Sequence, residues 1–384
     1  MASLFQTNGL TLNVYEPPWR ASKFLRNYSD KVRNYSHNLA AVGGFLTADF
    51  DLIEQPFTDL EDWVESGLGR EVKILTGTGA SVFEGFIDRL EFTVEGFHVA
   101  YGPMLDIGNK VALTFSMIDM STGTPVTGLR GISDWVEDKI SQFKYGVLIK
   151  VLSSGGIQLD VVDEIVNLAL KKISRPAKSE DLNFGASGSP FSLRINVQGW
   201  NSFLNKYPYN NTGYSWTTVG DKIKAIVAAE PNGLFRTGLV SANALPVTEY
   251  ENDNALAWGI LKGLLNYGDT SFNRYILGTY ESRNVVYRKV EDVFTYYRPL
   301  RESLTSVLND HNQLVDPWLV RPGYWVKVQD LMPTARHAEP FEALDAMFIE
   351  SVGFKEPNGL TLNGSTIYKL DQRLAQLGIS GLGF

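Results

Sequence analysis

Residues 69–101, GREVKILTGTGASVFEGFIDRLEFTVEGFHVAY, constrain the fold more than any other stretch. Residues 71–75 alternate polar with apolar, Gly77-Thr78-Gly79 turns the chain, and residues 82–88 run back. Beyond them Leu90, Phe92 and Val94 fall on one face, with Arg89, Glu91, Thr93 and Glu95 on the other. A period of two with one oily and one charged face predicts a half-buried antiparallel sheet. Glu95-Gly96 permits a second turn, after which Phe97, Val99 and Tyr101 alternate again.

At 384 residues the chain has ample core for two to four domains. Its 35 glycines and 17 tyrosines favour strands joined by many turns. No apolar run reaches about 18 residues, so no membrane span is expected. The start, MASLFQTNGL, lacks the basic and apolar regions of a signal peptide. With no cysteine there are no disulfides, thiolate metal sites or cysteine nucleophiles, in keeping with assembly in a reducing cytoplasm. The net charge of −8 opposes tight wrapping of nucleic acid, but does not oppose a surface that nucleic acid slides past without sticking.

In chain order, NGLTLN at residues 8–13 predicts a strand, and the same hexapeptide returns at 358–363, which raises the expectation of two related β-elements in like surroundings. RNYS occurs at 26–29 and again at 33–36; neither copy carries a core stripe, so a polar strand or arm is expected. GFLTADFDL, residues 44–52, places Leu46, Ala48, Phe50 and Leu52 inward, with Asp49 and Asp51 outward. Residues 1–118 therefore read as one β-domain, a barrel or sandwich. Ile132, Trp135, Val136, Ile140, Phe143 and Val147 recur at helical spacing, and a second helix is expected from about 161 to 173, which makes 119–182 a mainly helical insertion. Residues 183–300 read as small α/β modules of a helix on two strands, with a helix at 218–229, a second capped by Asn252 and carrying Leu256, Ile260 and Leu264, and a hairpin of 274–280 with 285–289 across 281–284. Residues 301–384 return to β-structure. The fold class is thus α+β and β-rich.

Chemistry is sparse. His37, His98, His311 and His337 show no metal-ligand spacing, Gly77-Thr78-Gly79 is a hairpin turn, and no phosphate-loop or nucleophile-elbow motif occurs. No catalytic, cofactor-binding or metal-binding residue is expected, so no cofactor is, and the reading is of a protein that is not an enzyme. The loop at 206–216, KYPYNNTGYSW, has the aromatic content of a carbohydrate-stacking surface, and a carboxylate pair of a cell-wall hydrolase is the remaining enzymatic alternative.

The order of these units carries a family resemblance. Gly69-Arg70-Glu71-Val72-Lys73-Ile74, then Phe83-Glu84-Gly85-Phe86-Ile87-Asp88-Arg89, and the late Arg321-Pro322-Gly323-Tyr324-Trp325-Val326-Lys327-Val328 resemble strands of the central baseplate hub proteins of tailed bacteriophages and related contractile machines. The resemblance implies a virion protein of the tail or baseplate, a homotrimer with two tube-like antiparallel β-barrel or sandwich domains per chain. Its ring would have the tail tube or distal tail protein above, a spike or fibre below, and DNA passing through without specific binding. Asp49, Asp51, Glu91 and Glu95 are the candidate channel-facing acids. A hexameric distal tail ring, or a host-surface carbohydrate-binding tail module, is the alternative.

Overall fold

The computed structural model describes residues 4–53, 57–94, 97–118, 125–182, 192–209, 215–249, 255–271, 273–291, 293–299, 304–329, 346–357 and 359–365. After a short helical turn, α1 (Leu4–Thr7), come strands β1 (Thr11–Tyr15), β2 (Phe24–Asn27), β3 (Val32–Ala40) and β4 (Val42–Ile53). Helix α2 (Phe57–Ser66) precedes β5 (Glu71–Leu75), β6 (Ser81–Val94) and β7 (Phe97–Tyr101). Strands β5 to β7 realise the alternating stretch as an antiparallel meander, with β6 one unbroken strand. Leu90 and Phe92 are buried, and Glu91 is half-exposed opposite them.

Two local expectations change here. Phe45, not Leu46, enters the core, because β3 and β4 shift register between Asn38 and Leu39, and a bulge inverts the alternation. The RNYS copies are not a polar arm: Tyr28 and Tyr35 are buried, and Tyr28 lies 5.4 Å from the ring of Trp63 on α2. The tyrosine of each copy supplies the apolar contact while Asn and Ser stay at the edge.

The chain then leaves the main sheet. Strands β8 (Lys110–Ile118), β9 (Pro125–Ile132), β10 (Val136–Glu137) and β11 (Ile149–Ile157) make a four-stranded sheet of their own, with β8 central and β11 parallel to it. Residues 132–147 are not one helix. Ile132 ends β9, and Asp138 caps the seven-residue α3 (Lys139–Tyr145) by accepting from Ile140 N (3.1 Å) and Ser141 N (3.0 Å). Helix α4 (Val162–Ile173) matches expectation and packs Val162, Val166 and Leu170 against Val111, Leu113 and Phe115.

Strand β12 (Lys178–Leu182) returns to pair with β7, and β13 (Ser192–Gly199) inserts between β4 and β6. A helical unit follows. It contains β14 (Ser215–Thr218), α5 (Val219–Ala228), β15 (Arg236–Val240), β16 (Pro246–Glu249), α6 (Ala257–Leu265), β17 (Tyr275–Thr279) and β18 (Asn284–Lys289). Thr218 caps α5 by accepting from Asp221 N at 3.2 Å, and α6 begins after Leu256, so Leu256 is outside the buried stripe; Asn252 lies outside the described residues. Ile223, Ile226, Leu261 and Leu264 join Tyr275, Val285 and Tyr287 in a separate core. The expected hairpin across 281–284 is present as β17–β18, and β17 also pairs in parallel with β4.

The last described strands are β19 (Phe294–Pro299), β20 (Trp325–Gln329), β21 (Ala346–Lys355) and β22 (Gly359–Ser365). Strand β21 lies antiparallel to β3, so the first and the last described strands share one sheet, whose main path runs β19-β20-β21-β3-β4-β13-β6-β5-β1-β2. The fold is α+β and β-rich. The first NGLTLN runs into β1 at Thr11 and the second lies in β22 from Gly359, but in unlike surroundings. Strand β1 is flanked by β2 and β5 with Leu10 and Leu12 buried, whereas among the described residues β22 pairs only with β21 and its leucines are half-exposed. Among the described residues no helix is long and apolar enough to cross a membrane.

Candidate functional site

Three of the four candidate acids come together on the wet face of the central strands. Asp51 stands opposite Arg33 on β3 and Arg194 on β13; Glu91 stands opposite Arg194; Asp49 stands opposite Asn196, which in turn faces Arg89 on β6. Asn196 Nδ2 donates to Asp49 Oδ1 at 3.0 Å, Asn34 Nδ2 to Asp51 Oδ2 at 2.7 Å, and Arg89 Nε lies 3.0 Å from Glu91 Oε1. Glu95 lies outside the described residues. The face therefore carries acids interleaved with arginines, so its local field is weaker than the acids alone would produce. The alternation revealed the acids. Arg194 became their neighbour only through the insertion of β13.

A second charged group, which the alternation hides, lies where β5 and β6 meet the 3-10 turn Glu281–Arg283. By its period Glu71 belongs on the polar face of β5, yet it is fully buried because this turn covers it. Arg283 Nη1 donates to Glu71 Oε1 at 2.7 Å, Ser22 Oγ donates to its other oxygen, and Lys73 Nζ lies 3.6 Å away. Beside it Glu84 accepts from Ser282 N at 2.7 Å, and burial pushes its carboxyl above the usual range. Arg321 donates to the carbonyls of Ser81 and Val82 and pairs with Glu281 at 3.1 Å, tying the approach to β20 into the same junction. These pairs fasten three distant segments.

His37 sits on β3 in the core, 5.5 Å from Phe354 in a stacked arrangement, with Nδ1 2.7 Å from the Tyr35 hydroxyl and, among the described residues, no partner for Nε2. Burial, then the charge of Arg321, pushes its pKa down from 6.5 to about 3. The unfolded chain takes up this proton below about pH 6.5, whereas the folded chain resists it until about 3. The stability His37 contributes is thus complete above 6.5 and declines as pH falls, by about 2 kcal/mol between pH 6.5 and 5. Glu84, Asp88 and Glu230, all raised by burial, act in the opposite sense as they protonate. Urea unfolding of wild type and His37→Phe over this range separates the two, and parallel pH profiles would remove His37 as the cause.

The other sequence candidates disperse. His98 is half-exposed on β7, His311 is exposed beside Asp310, and His337 lies outside the described residues. Among the described residues no three His, Cys, Asp or Glu side chains cluster to hold a metal. In the aromatic loop Tyr207 and Tyr209 are buried against each other with ring centroids 6.4 Å apart, so these two rings present no stacking face; residues 210–214 lie outside the described residues. A cleft of about 340 Å³ between β2 and α2 is lined by charges that satisfy one another: Arg26–Asp59 at 2.9 Å, Arg70–Asp62 at 2.6 Å and Arg20–Glu16 at 3.9 Å.

No protein-family model matches the chain, and no curated protein matches it by sequence. Solved structures do. A 43 kDa tail protein of prophage MuSo2 from Shewanella oneidensis is similar over 94% of this chain and 97% of its own, at 8% identity and a TM-score of 0.40. A tail protein from Neisseria meningitidis MC58 is similar over 94% of this chain and 99% of its own, at 11% identity and a TM-score of 0.40.

Proposed function

We propose that the chain is a structural protein of a phage tail, a hub-type ring subunit that joins tail tube to tip and lines the path of the DNA, and that it makes and breaks no bonds. The observation that carries this reading is the shared sheet. The first and the last described strands build one broad β-wall, with its aromatic core on one side and the row of Asp49, Asp51 and Glu91 among arginines on the other. A hydrated face whose cations are matched by acids offers duplex phosphate little to hold, which suits passage without binding.

The helices add a second support. Ile140 is 83% exposed and Phe143 69% on α3, and Leu168 is 58% exposed on the outer side of α4. Large apolar side chains left in water on neighbouring helices suit a subunit that works among copies and partners. The double variant Ile140→Asp/Phe143→Asp is expected to fold with stability within about 0.5 kcal/mol of wild type and to fail to enter the ring. Mass measurement of the wild-type ring tests the copy number: three copies are expected, and six would favour a distal tail ring. A wild-type chain that stays monomeric beside the other tail proteins would overturn the reading.

A further inference from the structure

Between the β17–β18 hairpin and the segment leading into β20 lies a cleft of about 180 Å³, with Tyr280, Glu281, Arg288, Arg321 and Tyr324 in its wall and Ile276 among its apolar lining. Arg321 is committed there to two carbonyls and to Glu281. Arg288 is not comparably committed. Its guanidinium lies over the Tyr324 ring at 4.5 Å and donates from Nη2 to Gly323 O at 3.2 Å and from Nη1 to its neighbour Lys289 O at 3.4 Å. Both acceptors are neutral, and among the described residues no carboxylate pairs with Arg288. Two of its five N–H groups are thereby used. With one carboxylate against two guanidiniums, the cleft holds a net positive charge.

We propose that this cleft is an oxyanion site, taking a carboxylate or phosphate group on Arg288 with Arg321 as a fixed second cation. Stacking on Tyr324 and the bond to Gly323 hold the guanidinium plane in place, so little side-chain freedom is lost when a ligand arrives. A planar fork with spare donors matches the paired oxygens of either group, and the small volume limits the ligand to one such headgroup. The cleft joins the helical unit to the β20 side of the main sheet, so an anion bound there tightens that contact. This assignment does not depend on the tail reading and is tested without any tail partner.

The full chain is titrated with inorganic phosphate and, separately, with sodium acetate, each against sodium chloride at equal ionic strength, while the thermal midpoint is followed. The midpoint is expected to rise with phosphate or acetate beyond the chloride control. Arg288→Ala is expected to weaken that response at least tenfold, Arg288→Lys to retain part of it, and Lys289→Ala to leave it unchanged. Should Arg288→Ala not fold, Arg288→Gln removes the charge and keeps a donor for Gly323 O. A stronger phosphate response points to a free phosphate ligand, and a stronger acetate response to a side-chain carboxylate of another chain. A chain that answers both anions as it answers chloride, or a charge-free Arg288 variant that answers as wild type does, overturns the proposal.

Discussion

Gly44→Ala is expected to destabilise the chain by about 3–5 kcal/mol, read as a fall in the urea midpoint. Gly44 has φ +80°, and a Cβ placed on it would lie 2.1 Å from Thr279 O and 2.6 Å from Thr279 N. Those atoms are backbone, so no rotamer change relieves the clash. The contact is the seam at which β17 pairs with β4, Gly43 opposite Gly278 and Gly44 opposite Thr279. From the other side, a Cβ on Gly278 would meet Gly44 N at 2.5 Å. The two backbones touch here without side chains between them, and the helical unit is joined to the main sheet through that touch. Amide exchange at Leu277, Gly278 and Thr279 is expected to rise first in the variant. Gly259→Ala, in α6 with no atom within 4 Å of its added Cβ, is the control and gains up to about 1 kcal/mol from helix propensity. A Gly44→Ala midpoint within error of wild type would show the seam to be pliable.

Arg283→Ala comes next, at about 3–5 kcal/mol, because it strands the fully buried Glu71. Lys73 at 3.6 Å and Ser22 remain, but neither replaces the 2.7 Å guanidinium bond, and Arg283 also gives up its Nε bond to Leu234 O at 3.1 Å. Removing the charge on both sides is cheaper than removing it on one. The double variant Glu71→Gln/Arg283→Ala is therefore expected to recover more than half of the loss in denaturant unfolding. If the double variant is as unstable as the sum of the two single ones, Glu71 and Arg283 are not coupled and the loss has another source.

How much of this was legible follows from range. Alternation at β5, β6 and β7, the amphipathic spacing of α4 and α5, and the β17–β18 hairpin are local patterns, and each appears where the sequence places it. Apolar residues at 132–147 mimic a helix because a strand end and a seven-residue helix, each with its own apolar residues, follow one another closely. Pairing between distant strands leaves no such trace. Nothing near Ser192 announces that β13 will enter between β4 and β6 and set Arg194 between Asp51 and Glu91. Glu71 looks solvent-facing for the same reason: its cover arrives from residue 283, 212 positions later. Arg288 carried no motif at all. A cation stacked on a tyrosine across a cleft is a property of the assembled hairpin.

The pairing of β21 with β3, and the bond from Leu4 N to Glu356 Oε1 across 352 positions, have a kinetic consequence. Until residues 346–355 have been made and have docked, β3 has an unoccupied flank, and Tyr35 and His37 lack the Phe354 ring that covers them. Loop closure over such a distance is slow, and an open strand edge is sticky meanwhile. Slower translation of residues 346–355 lengthens the wait of that flank and is therefore expected to favour aggregates over folded chain, read as a fall in soluble yield.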